Sequence, residues 1–210
     1  GNYGHVYKVR SNKDNQIYAL QIIAENPNNN EQIKNILREL NIMSALNHEN
    51  IERFHGGFKD YFPNEKKYCF FFVLEFIDGE NLQDMLNRYQ NKKEYISQDL
   101  IMKIIKGALN GLSYLHKNNI LHRDVSLDNI MIEKNTNNIK ITDFGLSAYY
   151  QENFYQLKSV VGRKTYVCPE IYHAHANKQN RANYTSKCDI FSLGVVMFQL
   201  MTFSYPIVLN

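Results

Sequence analysis

Hydrophobic and polar positions in the first third of the chain alternate as they do in β-strands. The runs HVYKVR and IYALQII lie on either side of the polar turn SNKDN, which predicts a β-hairpin. Asn30 is predicted to cap the helix that follows. The apolar positions of that helix keep helical spacing: Ile33, Ile36, Leu37, Leu40 and Met43. Two further extended runs, near 54–58 and 68–76, flank the loop PNEKK, so this region is predicted to hold strands around one helix.

The pattern becomes helical after the pair Asp78-Gly79. Ser97 is predicted to cap a long helix that ends near Asn118. Its apolar face is formed by Ile101, Ile104, Ile105, Ala108, Leu112 and Leu115. Two short strands, NIMIE and IKIT, come next, followed by an irregular stretch over about 143–185 and an apolar helix over about 188–201. A small β-rich half is therefore expected to precede a helical half.

Composition and charge restrict the class of protein. The 210 residues are 44% hydrophobic and 21% charged, values that exclude wholesale disorder. The net charge of +3 is too mild to indicate nucleic-acid binding, and the basic residues are scattered among acids. The longest apolar runs, YCFFFVLEFI and IFSLGVVMFQLM, are shorter than the roughly 18 residues of a membrane span. We expect a cytoplasmic or nuclear domain without nucleic-acid or membrane partners.

Residues that commonly bind transition metals are not clustered along the chain. Cys69, Cys168 and Cys188 are far apart and form no CxxC pair, which favours a reduced intracellular setting over a zinc site or disulfide framework. His173 and His175 lie in the polar stretch IYHAHANKQNRANYT without nearby Cys, Asp or Glu partners. This stretch is therefore predicted to be a solvated loop and not a metal site.

Five short motifs occur in a characteristic order. GNYGHV opens the chain, HRDVSLDN occupies 122–129, DFG 143–145 and CPE 168–170, and CDIFSLGV begins at Cys188. The chain resembles the eukaryotic protein kinase family of the Ser/Thr type over essentially its whole length. The resemblance implies an α+β, two-lobed fold, with a β-rich N-lobe over 1–77 and a mainly helical C-lobe over 78–210. Because the match begins inside the glycine-rich loop and stops after the large central helix, we expect the first strand and the last helices of the domain to be missing.

The resemblance also implies which residues carry the chemistry. Kinases transfer a phosphoryl group by positioning it and neutralising its charge, with ATP and Mg²⁺ as cofactors. Asp124 would accept the proton of the substrate hydroxyl, and Asn129 and Asp143 would hold the magnesium ions. Glu39 matches the helix glutamate that pairs with a strand lysine. The expected partners are a protein substrate and a regulatory partner or activating kinase acting at the activation segment.

Nucleotide-binding positions follow from the same resemblance. Gly1 and Gly4 match the second and third glycines of the phosphate-binding loop. Val6 and Ala19 would cover the adenine from above and Met131 from below. Leu74 would be the gatekeeper, and the backbone of Glu75 and Ile77 would bind the adenine edge. A stacked spine joining the lobes would consist of Met43, Phe54, His122 and Phe144.

One departure concerns the strand lysine. The family motif V-A-I-K appears here as YALQ, so Gln21 stands where the phosphate-binding lysine is expected. Glu39 would lose its ion partner, although the amide of Gln21 can still donate a hydrogen bond to it. Strand alternation places Lys8 on the same face as Val6, so Lys8 is a candidate replacement, but a solvated lysine is the favoured interpretation.

A second departure lies in the catalytic loop. Ser126 replaces the lysine of Ser/Thr kinases, and Leu127 replaces the proline that follows it. The activation segment has Arg163 and Lys164 where the family has threonine and its neighbour, so we hypothesise that one of them supplies the missing cation.

Two functions stay open: a protein Ser/Thr kinase of reduced or unconventional activity, and a pseudokinase that acts as a binding scaffold or allosteric partner.

Overall fold

The structure, a computed structural model, describes residues 4–64, 66–150, 156–157, 161–163, 165–179 and 182–206. Four antiparallel strands form the main sheet in the order β1-β2-β4-β3: β1 is His5–Arg10, β2 Ile17–Ala24, β3 Phe54–Phe62 and β4 Lys67–Glu75. Helix α1, Asn30–Ala45, lies between β2 and β3 in sequence and contacts β3. The predicted strands around one helix are confirmed.

The remainder of the chain is mainly helical. Its long elements are α2 (Leu82–Lys92), α3 (Gln98–Lys117), α4 (Pro169–Ala176) and α5 (Ser186–Thr202). Short strands form three small sheets: β5 (Gly79–Asn81) with β7 (Ile130–Glu133) and β8 (Ile139–Ile141), β6 (Ile120–Leu121) with β9 (Ala148–Tyr149), and β10 (Gln156–Leu157) with β11 (Ala182–Asn183). A 3₁₀ turn covers Leu127–Asn129. The two-lobed α+β class predicted from the sequence is confirmed.

Side chains cap the N-termini of α1 and α3, and the predicted cap of α1 needs a correction. The Ser97 hydroxyl accepts a hydrogen bond from the Leu100 backbone at 3.3 Å, as predicted. Helix α1 is capped by Asn29 and not by Asn30, because the Asn29 side chain accepts from the Gln32 backbone N–H at 3.0 Å. The sequence offers several asparagines in a row that can cap equally well, so spacing alone does not choose between them.

The prediction of an irregular, solvated stretch before the last helix is wrong at α4. Pro169 occupies the first helical position, where its fixed φ and missing N–H suit a helix start. Ile171 and Ala174, three residues apart, are buried on one face. They pack in a small second core with Cys168, Tyr184 and Cys188. His173 lies on this helix and is exposed.

One hydrophobic core spans both halves of the molecule and sets their relative position. Phe72 from the sheet, Leu115 from α3 and Phe144 from the loop after β8 are fully buried in it. The rings of His122 and Phe144 contact each other edge to face with centroids 5.2 Å apart. None of the helices in the described part of the chain is both long and apolar enough to cross a membrane.

Candidate active site

A cavity of about 290 Å³ lies between the main sheet and the loops that follow α3. Met43 and Phe144 of the predicted spine line it. It also brings together eight of the predicted catalytic and nucleotide-binding residues: Gly4, Val6, Gln21, Glu39, Leu74, Asn129, Met131 and Asp143. The described cavity wall does not include Ala19, Glu75, Ile77, Asp124 or Arg163. Gly1 and Lys164 lie outside the described residues.

The upper wall of the cavity is set by strand register. Val6 in β1 pairs with Gln21 in β2, and Ala19 in β2 pairs with Leu74 in β4. Gly4 has φ of 90°, and a Cβ atom there would lie 2.0 Å from the backbone oxygen of Ile22. Only glycine fits this turn, which lets the backbone pass close over the cavity.

The lower wall presents oxygen atoms from two loops. The Asn129 side-chain amide donates to the Asp124 backbone oxygen at 2.9 Å and to Asp124 Oδ2 at 2.8 Å. Both bonds are made by the side-chain nitrogen of Asn129. The side-chain oxygen of Asn129, on the opposite side of the amide group, takes part in neither. Asp143 has φ of 62°, and its Oδ1 accepts from the Gly145 N–H at 3.2 Å. The Thr142 N–H donates to the Asn129 carbonyl at 3.0 Å and joins the two loops.

This donor set fits a magnesium ion. Mg²⁺ prefers hard oxygen ligands and is commonly held by one or two carboxylates together with phosphate oxygens. Asp143 offers a carboxylate and Asn129 an amide oxygen, and both line the same cavity. The residues present therefore match the metal that the resemblance implies.

Asp124 lies beside this wall with one oxygen available. The residue is buried, and among the described residues nothing donates a hydrogen bond to its Oδ1 atom. Burial raises the pKa of Asp124, and the Arg163 guanidinium and His122 oppose that increase. An unbonded carboxylate oxygen at the rim of a cavity is suited to accept a proton from a bound hydroxyl group.

A buried aspartate holds the catalytic loop in place. Asp189 of α5 accepts from the backbone N–H groups of His122 at 3.0 Å and Arg123 at 2.9 Å. Its Oδ2 also lies 2.8 Å from His116 Nε2. Burial alone would raise the pKa of Asp189, but these bonds outweigh burial and lower it. The backbone before Asp124 is thereby tied to the centre of the helical half.

The activation segment reaches the catalytic loop through Arg163. Its guanidinium donates to the Asp128 carboxylate, and its Nε lies 3.6 Å from Asp124 Oδ1. The hydroxyl of Ser126 is fully buried and has no hydrogen-bond partner in the described part of the chain. A cation therefore stands next to Asp124 although the loop lysine is absent. Its catalytic role stays a prediction.

The back wall lacks the charge that the family places there. Gln21 is 9% exposed and Glu39 only 3% exposed, and both face the cavity. The pKa of Glu39 is raised to about 8, first because the carboxyl group is buried and then because Asp143 repels its charge. The neighbouring Arg38 guanidinium opposes this shift less strongly. At neutral pH the Glu39 carboxyl group is thus largely protonated.

Neither of two nearby lysines occupies the place of the missing one. The Lys8 ammonium lies over the Phe76 ring, 4.2 Å from its centroid. The register pairs Lys8 with Ala19 and not with Gln21. Lys140 is buried and its Nζ lies 2.9 Å from a Glu75 carboxylate oxygen.

Glu52 also lines the cavity and was missed in the sequence. Its backbone N–H donates to the Ile141 carbonyl at 2.9 Å, so Glu52 lies next to β8. The pKa of Glu52 is raised to about 8 by burial and by the charges of Glu75, Asp143 and Glu39. A single acid just before a strand is usually solvated, so the local sequence carries no signal for this position.

The sequence resembles those of known proteins over nearly its whole length. The sequence profile of the protein kinase domain matches residues 1–209. Calcium-dependent protein kinase 5 of Plasmodium falciparum is 36% identical over 208 residues, which are 98% of this chain and 33% of that protein. Human Serine/threonine-protein kinase Nek10 is 32% identical over 216 residues, covering 98% of this chain and 17% of the relative. Human Myosin-IIIa is 32% identical over 203 residues, 95% of this chain and 12% of the relative. The chain spans a third or less of the length of these proteins.

Proposed function

The chain belongs to the protein kinase family, and we propose that it transfers the γ-phosphate of ATP to a serine or threonine hydroxyl of a protein substrate, with reduced activity. The observation that supports this most is the lower wall of the cavity. Asn129 and Asp143 line this wall. Asp124 lies beside it and accepts hydrogen bonds of 2.8–2.9 Å from the Asn129 side-chain amide. A general base and oxygen ligands for Mg²⁺ beside a cavity are among the parts that phosphoryl transfer uses.

Each residue of the site has a separate role in the proposed reaction. Asp124 Oδ1 accepts the proton of the substrate hydroxyl and orients its oxygen toward the cavity. Asn129 and Asp143 would hold Mg²⁺, which when bound would neutralise charge on the phosphate oxygens. Gly4, without a Cβ atom, lets its own backbone approach those oxygens. These are positioning and electrostatic roles, and they need no covalent contribution from the protein.

Arg163 compensates for the missing loop lysine in this proposal. Its guanidinium lies between Asp124 and Asp128, where a positive charge also faces the oxygen of an incoming hydroxyl. The group is 42% exposed, so water screens part of its effect. Arg163 therefore replaces the lysine incompletely.

Reduced activity follows from Gln21. Removing one preorganised stabiliser of transition-state charge typically lowers kcat by about 100- to 1000-fold. No described residue that lines the cavity is a lysine or an arginine. Since kinases with all their groups turn over about 1–100 times per second, the proposed enzyme is slow.

The test is transfer of labelled γ-phosphate from Mg²⁺·ATP to a generic protein substrate by the full-length protein. Asp124→Asn is the control, because it keeps the shape of the side chain and removes the proton acceptor. We expect slow transfer that disappears in this variant. Transfer at the same rate in both proteins would contradict the assignment of Asp124.

A second candidate function is a pseudokinase that binds partners without catalysis. The back wall favours it, since Gln21, Glu39 and Glu52 present an amide and two carboxyl groups where the phosphates need a cation. This candidate predicts no transfer above the Asp124→Asn control in a folded sample. Binding of ATP measured with and without Mg²⁺ then shows whether the cavity still holds nucleotide.

A further inference from the structure

An arginine of α1 is hydrogen-bonded to the loop that carries Asp143. Arg38 Nη2 donates to the Gly145 carbonyl oxygen at 3.0 Å, across 107 positions of sequence. The Gly145 N–H donates in turn to Asp143 Oδ1 at 3.2 Å. Two hydrogen bonds in series, through the backbone of one residue, therefore connect Arg38 with the Asp143 carboxylate.

The Arg38 guanidinium is also held from within its own helix. Its Nη1 donates to Asn35 Oδ1 at 3.0 Å, one turn earlier in α1. Its Nε atom is buried and has no hydrogen-bond partner in the described part of the chain. Because a buried donor without a partner is unfavourable, the bonds to Asn35 and Gly145 must keep the guanidinium in place. Arg38 thus has a defined position, unlike an arginine on a solvated helix surface.

The loop that carries Asp143 has a backbone conformation that needs support. Asp143 has φ of 62°, in the left-handed region, which costs free energy for a residue with a Cβ atom and persists where surrounding contacts hold it. On one side of Asp143, the Thr142 N–H donates to the Asn129 carbonyl at 3.0 Å. On the other side, Arg38 holds the carbonyl of Gly145. Arg38 therefore fixes the second end of the segment that presents this carboxylate.

Helix α1 faces two parts of the site with two adjacent residues, since successive side chains of a helix point about 100° apart. Glu39 lines the cavity, and Arg38, one residue earlier, faces Gly145. Gln21 has no ammonium to join Glu39 to the sheet. The bond from Arg38 to Gly145 is a link between α1 and the lower wall that does not depend on a lysine at that position.

We propose that Arg38 is a positioning residue for Asp143, acting through the backbone of Gly145. This inference rests on the proposed function, in which Asp143 would hold Mg²⁺. Residues that orient a metal ligand from outside the ligand set typically contribute about 10- to 100-fold to metal affinity or activity. Arg38 is not among the described residues that line the cavity, so its effect is on the placement of Asp143 and not on the nucleotide.

Backbone hydrogen exchange tests the link without any catalysis. The full-length protein is measured by mass spectrometry in the absence of Mg²⁺ and nucleotide, and peptides covering 143–147 report on the Gly145 amide. We expect Arg38→Gln to accelerate exchange there by about tenfold, the effect of losing one hydrogen bond to a charged group. Arg38→Lys should recover part of the protection, because an ammonium can still donate to the carbonyl.

The matched control for this measurement is Arg10→Gln. The Arg10 guanidinium likewise donates to an asparagine side chain, that of Asn15, but it is exposed at the end of β1. Exchange at 143–147 should be the same in this variant as in the native protein.

Metal binding gives the readout that a purely structural role would not change. Mn²⁺ replaces Mg²⁺ as the probe, and its binding in the presence of a non-hydrolysable ATP analogue is followed by electron paramagnetic resonance. We expect Arg38→Gln to weaken Mn²⁺ binding by about 10- to 100-fold, with Arg38→Lys in between and Arg10→Gln unchanged. Neither measurement requires phosphate transfer, so a protein that fails the transfer test can still confirm or refute the role of Arg38.

Two results would overturn the proposal. One is unchanged exchange at 143–147 in Arg38→Gln. The other is native Mn²⁺ affinity in a variant whose exchange is accelerated, since Arg38 would then stabilise the loop without placing the metal ligand. If Arg38→Gln does not fold, Asn35→Ala decides, because it removes the support of the guanidinium and leaves Arg38 itself unchanged. Asn35→Ala must then shift exchange and Mn²⁺ affinity in the same direction, by a smaller factor.

Discussion

The two walls of the cavity differ in how far they retain the residues of the kinase family. The lower wall holds Asn129 and Asp143. Asp124 is hydrogen-bonded to Asn129 beside this wall, on a loop that Asp189 anchors. The back wall has an amide in place of the lysine and carries a carboxyl group at Glu52. In the proposed reaction this difference separates two parts. The residues assigned to the hydroxyl and to the metal are present, whereas Gln21 replaces the lysine expected to hold the phosphates.

The lower wall should be the more sensitive of the two. Asp143→Asn removes the carboxylate that would hold magnesium while keeping the size of the side chain. We expect transfer of labelled phosphate to fall by about 1000-fold, the upper end for the loss of one charge stabiliser. Asp60→Asn, an exposed aspartate in β3, is the control and should leave the rate unchanged. Equal rates in native protein and Asp143→Asn would show that the lower wall is not the catalytic one.

Restoring the back wall should have the next largest effect, in the opposite direction. Gln21→Lys places an ammonium beside Glu39 and the phosphates, and we expect transfer to rise by about 100-fold. The same change should lower the pKa of Glu39, because an opposite charge favours the carboxylate. Gln90→Lys on the exposed part of α2 adds the same charge elsewhere and should change nothing. An unaltered rate in Gln21→Lys would mean that the missing lysine does not limit activity.

The activation segment should have a smaller influence. Arg163→Ala is expected to lower transfer by about tenfold, less than for an enclosed group because the guanidinium is 42% exposed. Arg163→Lys should recover part of the loss. Arg88→Ala, which removes a similarly exposed arginine from its pair with Glu80, is the control. If Arg163→Ala transfers phosphate as fast as the native protein, Arg163 does not replace the loop lysine.

The carboxyl groups of the back wall should make stability depend on pH. The pKa values of Glu39 and Glu52 are raised from 4.5 to about 8, so between these values the folded protein binds more protons than the unfolded chain. Their contribution is fully present below about pH 4.5 and is lost as the pH rises through about 8. Each such group changes the free energy of unfolding by up to about 1.4 kcal/mol per pH unit.

Glu52→Gln removes one of these carboxyl groups and so isolates its contribution to the pH dependence of the free energy of unfolding. We expect the free energy of unfolding, measured by urea titration without magnesium or nucleotide, to fall less between pH 5 and pH 8 than in the native protein. The neighbouring Glu49 is exposed, and Glu49→Gln should keep the native slope. Parallel slopes for Glu52→Gln and the native protein would contradict the raised pKa of Glu52.

Much of the fold could be predicted from local patterns. The alternation in HVYKVR and IYALQII identified β1 and β2, and Ser97 identified the start of α3. Helix α4 was missed because eight residues between polar stretches carry too little periodicity, and its two buried positions are defined only by the core they enter. Asn29 was missed as a cap because its neighbours have the same chemistry.

The sequence by itself determined the family resemblance, the order of the motifs and the absence of the strand lysine at Gln21. These features depend on which residues occur and in which order along the chain, and not on distances between residues in the fold. The tertiary structure alone decided that Glu52 enters the cavity, that Lys8 lies over Phe76, and that Cys168 meets Cys188. Each of these depends on contacts between segments distant in sequence, since burial and charge at a residue are set by what the fold brings next to it.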